Sequence, residues 1–153
     1  MAILSAFNSP EDVEVIALTT IYGNVPTQMA TRNAIHLKNL ANRTEVPVVE
    51  GSWTSLRGAA KERIADFVHG IDGFGNTNQP TSEGSAHPGS AAEYIVEAAT
   101  KYPGEVVVLA LAPLTNLALA LHLDPQLGDK LVRICQFRLR VLAPIHAVSN
   151  IER

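Results

Sequence analysis

The stretch Asp66 to Asn76, D-F-V-H-G-I-D-G-F-G-N, gathers one imidazole, two carboxylates, a carboxamide and three glycines, with neither a helical nor a strand period. Those residue types suit proton transfer and hydrogen bonding to a small polar ligand. His69 can gain or release a proton near neutral pH, Asp72 and Asn76 offer polar groups, and Gly70, Gly73 and Gly75 permit positive φ and close backbone approach. Taken alone, the same composition also describes a surface turn rich in Asp and Gly, so the surrounding elements must decide.

Val13 to Thr20, V-E-V-I-A-L-T-T, is rich in β-branched and aliphatic residues and runs into Tyr22-Gly23-Asn24, which predicts a buried strand followed by a loop. From Thr27, Ala30, Ala34, Leu37, Leu40 and Ala41 recur at three- and four-residue spacing, with Arg32, Lys38 and Asn39 elsewhere around the wheel; this is an amphipathic helix. Pro47 to Glu50 is a short strand closed by Gly51, and Ser52 to Pro88 is a loop long enough to expect a function. Ser90-Ala-Ala-Glu93 forms a capping box that opens a helix to about Lys101, stopped by Pro103-Gly104. Val106 to Leu111 is the most strand-like run, Pro113 to Leu123 returns to helical spacing, and Leu131 to Cys135 is a weaker strand. Strands alternating with helices give an α/β class: a Rossmann-like, mostly parallel sheet with helices on both faces. Ligands of such sheets sit beyond the carboxyl ends of the strands, where the loops Tyr22 to Val25, Gly51 to Pro88 and Ala112 to Thr115 emerge.

The 153 residues, 46% hydrophobic, can bury one sizeable core, so one domain is expected. A net charge of -3, from 15 acidic and 12 basic side chains, provides no basic field for a nucleic-acid partner. Cys135 is the single cysteine, which precludes an intramolecular disulfide and fits a reducing, cytoplasmic setting. The N-terminus lacks a basic n-region, and no apolar run approaches the roughly 20 residues of a membrane span.

Three polar signals occupy the strand-end loops in order: T-T-I-Y-G-N-V (Thr19 to Val25), H-G-I-D-G-F-G (His69 to Gly75) and A-P-L-T-N (Ala112 to Asn116). Together they resemble the inosine–uridine-preferring nucleoside hydrolases, whose first half carries T-T-x-x-G-N-V, H-G-x-D-G-x-G and G-P-L-T-N in that order. The similarity runs from about Met1 to Ile134, so residues 1–134 are expected to be part of a nucleoside hydrolase domain and 135–153 an unrelated tail. The resemblance implies cleavage of the N-glycosidic bond of a small-molecule ribonucleoside, to free base and ribose, by water bound to Ca²⁺. By motif match it puts Asn24 on the ribose-binding asparagine, His69 on the histidine near the nucleobase, and Leu111 where a main-chain carbonyl meets the calcium. Read without the resemblance, these are a turn asparagine, a histidine satisfied by its own loop, and a core leucine.

Thr115 and Asn116 are expected to cap and brace the following helix, Trp53 to pack on the domain surface or stack on a base, and Cys135 to be buried. Asp66 and Asp72 either order their loop or meet a ligand. The chain departs from the family in lacking the opening strand with D-x-D-P-G-x-D-D and the later C-terminal ligands, so the family fold is expected to be incomplete, with Met1 to Pro10 matching the stretch just after that motif. With those carboxylates absent, Ca²⁺ retention and turnover by this polypeptide are not expected. An exposed sheet edge favours association, including a homo-oligomer. The alternative to a truncated hydrolase is a non-catalytic nucleoside- or ribose-binding or subunit-interaction remnant.

Overall fold

In the computed structural model, which describes residues 2–58 and 64–136, the core forms where helices made of small residues meet short parallel strands. The element order is α1 (Ala2–Phe7), β1 (Leu18–Thr19), α2 (Thr27–Leu40), β2 (Val48–Val49), α3 (Asp66–His69), α4 (Ala91–Lys101), β3 (Val106–Ala110), α5 (Thr115–Leu123), α6 (Leu127–Lys130) and β4 (Leu131–Gln136). Helix α2 connects β1 to β2, and α5 and α6 connect β3 to β4, so both pairs are β-helix-β units and both are parallel. Leu18 stands opposite Val48 in the first pair, and Val107 to Ala110 stand opposite Arg133 to Gln136 in the second, after an irregularity between Val106 and Val107.

The expected class, α/β with parallel strands, is what the chain adopts. The described strands pair as two two-stranded parallel sheets. The first strand is also shorter than Val13 to Thr20, because its ladder is confined to bonds such as Leu18 N–H to Pro47 O and Thr20 N–H to Val49 O, each 3.0 Å. Apolar content makes the longer segment a strand candidate, but ladder bonds require a neighbouring backbone, and among the described residues Leu18 and Thr19 are the part that meets a partner strand.

Local chemistry explains α4 well. Glu93 N–H donates to Ser90 Oγ (3.2 Å) while Ser90 N–H donates to Glu93 Oε2 (2.9 Å), the reciprocal capping box read from the sequence. The helix then buries Ala91, Ala92, Ile95, Ala98 and Ala99. Ala92, Ile95 and Ala99 pack with Leu117 and Ala120 of α5 and Leu127 of α6 in one cluster, the alanines letting the helix axes approach closely. A second cluster joins Ala34 and Ile35 of α2 to Val48 of β2, with Leu18 against it.

Two short helices leave no signal in the sequence. Helices α3 and α6 are single turns of four residues, too brief to leave a hydrophobic period. Cys135 is half-buried on β4 rather than buried, since among the described residues this strand pairs with β3 alone. Of the expected tail 135–153, residues 137–153 lie outside the described residues, as do the arginines at 138, 140 and 153.

Candidate functional site

Thr20, immediately after β1, is buried, and its hydroxyl lies 2.7 Å from that of Thr31 on α2, fixing where the chain leaves the sheet. Tyr22 to Val25 then turn, with Tyr22 N–H donating to Ser52 O (3.2 Å). Val25 is buried while Asn24 is exposed, and the Asn24 carbonyl accepts the Ala65 N–H at 2.9 Å. That bond ties the Asn24 turn to the residue that precedes α3.

His69 ends α3 and is half-buried. Its N–H donates to Ala65 O (2.9 Å) and its carbonyl accepts Gly75 N–H (2.7 Å), so the segment after His69 folds back upon it. Asp72 organises the return: Oδ1 accepts the N–H groups of Phe74 and Asn76, each at 2.8 Å, and Oδ2 accepts that of Asn78 at 3.1 Å. Asn76, at φ 60°, uses Oδ1 to accept the Ile71 N–H at 2.8 Å. Asp72 thus orders the loop, while the Asp66 carboxylate accepts the N–H of its neighbour Phe67. Phe67, Val68 and Ile71, on either side of His69 in the chain, stand exposed, and no hydrophobic period marks them in the sequence.

The same N–H donors, Phe74 foremost, hold the Asp72 carboxyl below the usual carboxylate range. A carboxyl whose folded pKa is depressed stabilises the fold above its unfolded pKa of about 3.9, and that contribution disappears as pH falls through the lower folded value. Amides of Phe74, Asn76 and Asn78 should therefore lose hydrogen-exchange protection in that acid window, and Asp72→Asn should remove the dependence. Protection that is flat through the acid range in the unsubstituted chain would contradict this assignment.

Leu111 follows β3 and is 46% exposed, which is unlike a core leucine. Beyond it, Pro113 lies against Gly23, and the Thr115 hydroxyl is 3.4 Å from the Tyr22 phenol, so the ends of β1 and β3 meet. Asn116 makes the firmest link. Its Nδ2 donates to Thr20 O (2.8 Å) and its Oδ1 accepts Ser52 N–H (2.9 Å), with Asn116 buried. The expectation that Thr115 and Asn116 cap α5 is therefore corrected: the cap position is Leu114, without a side-chain cap, and Asn116 spans two other loops because their unpaired backbone groups need partners. Trp53 is 58% exposed rather than packed on the domain surface, and it donates Nε1–H to Glu50 Oε1 at 2.9 Å.

The loops bearing Asn24, His69 and Leu111 are thus joined through Ala65, Gly23 and Pro113. Two hollows, of about 590 and 280 Å³, lie elsewhere, one beside α4 and Leu123, the other between Ile16, Pro47 and Tyr94. Among the described residues, no three His, Cys, Asp or Glu side chains gather in a way that could hold a metal. A Ca²⁺ site needs about six to eight oxygens, so the Leu111 carbonyl and its described surroundings do not fit that ion by themselves.

A parallel α/β domain with polar loops converging at its strand ends defines a class of small-ligand sites rather than one activity. Sequence comparison narrows it: residues 1–136 match the profile of the inosine–uridine preferring nucleoside hydrolases. Probable uridine nucleosidase 2 of Arabidopsis thaliana is 54% identical over 134 residues, covering 88% of this chain and 41% of that protein. Uridine nucleosidase 1 of the same plant is 49% identical over a stretch covering 88% and 39%. Among solved structures, a plant nucleoside hydrolase superimposes with TM-score 0.85 at 51% identity, covering 88% of this chain and 42% of the other. A purine-preferring ribonucleoside hydrolase from Gardnerella vaginalis gives 0.84 at 33%, covering 88% and 43%. The chain belongs to the inosine–uridine preferring nucleoside hydrolase family, and it spans about two fifths of the length of the relatives it matches.

Proposed function

We propose that this chain carries the ribose- and base-facing part of a ribonucleoside hydrolase, an enzyme that cleaves the N-glycosidic bond of uridine- or inosine-type nucleosides to free base and ribose. Supporting this reading is the hydrogen-bonded convergence of the three strand-end loops, in which Asn24 O and Ala65 N–H join the first loop to the turn bearing His69. In it, the exposed Asn24 carboxamide holds ribose hydroxyls. His69 meets the base, where an imidazole can donate a hydrogen bond to the departing ring, and the apolar Phe67, Val68 and Ile71 beside it suit an aromatic heterocycle. The Leu111 carbonyl would be one oxygen toward a Ca²⁺ ion, whose chemistry would be to activate a water; among the described residues no cluster of three His, Cys, Asp or Glu side chains stands ready to complete such a site. We assign residues 1–134 to the hydrolase unit, 135–153 to an unrelated tail, and the protein to the cytoplasm. No helix among the described residues is long and apolar enough to cross a membrane.

The 153-residue polypeptide alone is expected to release no ribose. Incubating it with uridine or inosine and Ca²⁺, and following free base chromatographically, checks this; turnover of about 1 s⁻¹ or faster would refute it. A second reading, a non-catalytic nucleoside-binding or subunit-interaction remnant, draws on the exposed Val107 and Leu109 of β3, an apolar strand surface suited to association such as a homo-oligomer. Calorimetric binding of uridine without turnover favours it.

A further inference from the structure

Helix α2 has a second packed side. With 3.6 residues per turn, Arg32, Asn33, His36 and Asn39 fall within about 120° of arc, away from the face of Ala34 and Ile35 that meets the sheet. Each of the four reaches the long loop. Asn33 Nδ2 donates to Asp72 O (2.8 Å), Arg32 Nη2 to Gln79 O (3.3 Å), and Asn39 Nδ2 to Glu83 O (2.7 Å). His36, 7% exposed, has Nδ1 2.7 Å from Ser82 Oγ and its ring 5.8 Å from that of Phe74. Among these contacts Asn33 stands closest to the site. A Cβ on Gly73 would lie 2.8 Å from Asn33 Nδ2 and 2.9 Å from Val25 Cγ1, so the loop is seated against both α2 and the Asn24 turn.

From Asn33 the bonding leads directly to His69: the carbonyl it binds belongs to Asp72, whose carboxylate holds Phe74 and Asn76, and between them Gly75 N–H binds His69 O. We propose that Asn33 is a positioning residue for His69, and that the polar stripe of α2 is the template on which the His69 loop is laid. The three donors Arg32, Asn33 and Asn39 are guanidinium or carboxamide groups aimed at main-chain carbonyls, so they fix the path of the loop while leaving its side chains free to vary. The consequence for nucleoside handling rests on the function proposed above; the docking itself does not.

Hydrogen exchange on the full 153-residue chain without nucleoside tests the docking. Asn33→Ala, and the isosteric Asn33→Asp that loses the donor, should each speed exchange of the Phe74, Gly75 and Asn76 amides about tenfold or more, and shift the His69 ring proton resonances. Leu18 and Thr20 amides, bonded across β1 and β2, should change less than about twofold. Asn39→Ala should loosen only the Ser82 to Gly84 end. Unchanged amides at Phe74 to Asn76, or an equal rise at Leu18 and Thr20, would overturn the proposal. Should both Asn33 variants fail to fold, the unsubstituted chain still decides: nuclear Overhauser contacts between the Asn33 carboxamide protons and Gly73 Hα must be present, and their absence defeats it. Failure of uridine to bind would refute the nucleoside reading and leave this exchange pattern intact.

Discussion

Gly51→Ala should lower the stability of the chain by about 3–5 kcal/mol, seen as a fall in the urea midpoint. A Cβ at Gly51 would overlap Thr20 O and both polar atoms of the Asn116 carboxamide, so the clash strikes backbone and bridge together. The added methyl must expel Asn116, which leaves Thr20 O and Ser52 N–H without the partners that now hold β1, the long loop and α5 in register. A loss of this size is a large fraction of the whole stability of a domain, about 5–15 kcal/mol. Asn116→Ala on its own should cost less, about 2–4 kcal/mol, since it strands the same two groups without adding bulk. In the double variant part of the clash is already relieved, so the two losses should add to more than the combined effect. Strict additivity, or an unchanged midpoint for Gly51→Ala, would show that the three segments are not locked through this point.

Gly70→Ala is expected to have the next largest effect, and a more local one. Gly70 sits at φ 71° and ψ 170°, a region that residues with a side chain occupy only at a cost of about 1–3 kcal/mol. The new Cβ would also lie 2.6 Å from both Asn76 N and Asn76 Oδ1. The Asn76 bond to Ile71 N–H must then break, and with it the return that brings Gly75 N–H to His69 O. A total of about 2–4 kcal/mol is expected, with the His69 loop unlatched while the α4 and α5 core is kept. Exchange protection lost across Ile71 to Asn78 and retained in α4 would support this; the His69 resonances of the unsubstituted chain persisting in the variant would contradict it. Gly75→Ala serves as the control, because positive φ alone strains it and no atom lies within 4 Å of its added Cβ.

The two glycines differ in how they could be read. Gly70 belongs to a run of glycines broken by His69, Asp72 and Asn76, so its need for unusual backbone and a tight local return is visible in the text of the chain. Gly51 looks like an ordinary strand terminator, and its tight fit comes from Thr20 and Asn116, far away in sequence. The polar positions of α2 show the same limit. Arg32 and Asn39 were legible as lying off the apolar face, but a wheel cannot say whether a polar face meets water or another segment. The exposed Phe67, Val68 and Ile71 escaped notice because α3 is one turn long and leaves no period.

By itself the sequence determined what depends on neighbours within about four residues or on pattern: the Ser90 and Glu93 capping box, the helical and strand segments, the α/β class, and the ordered motifs that point to a nucleoside hydrolase. Tertiary structure alone decided the division of the strands into two parallel pairs, the bridge made by Asn116, and the seating of the His69 loop on α2. The physical reason is common to all three. Backbone groups left unpaired by one segment must find donors or acceptors, and here they are 96 residues away for Thr20, 64 for Ser52 and 39 for Asp72.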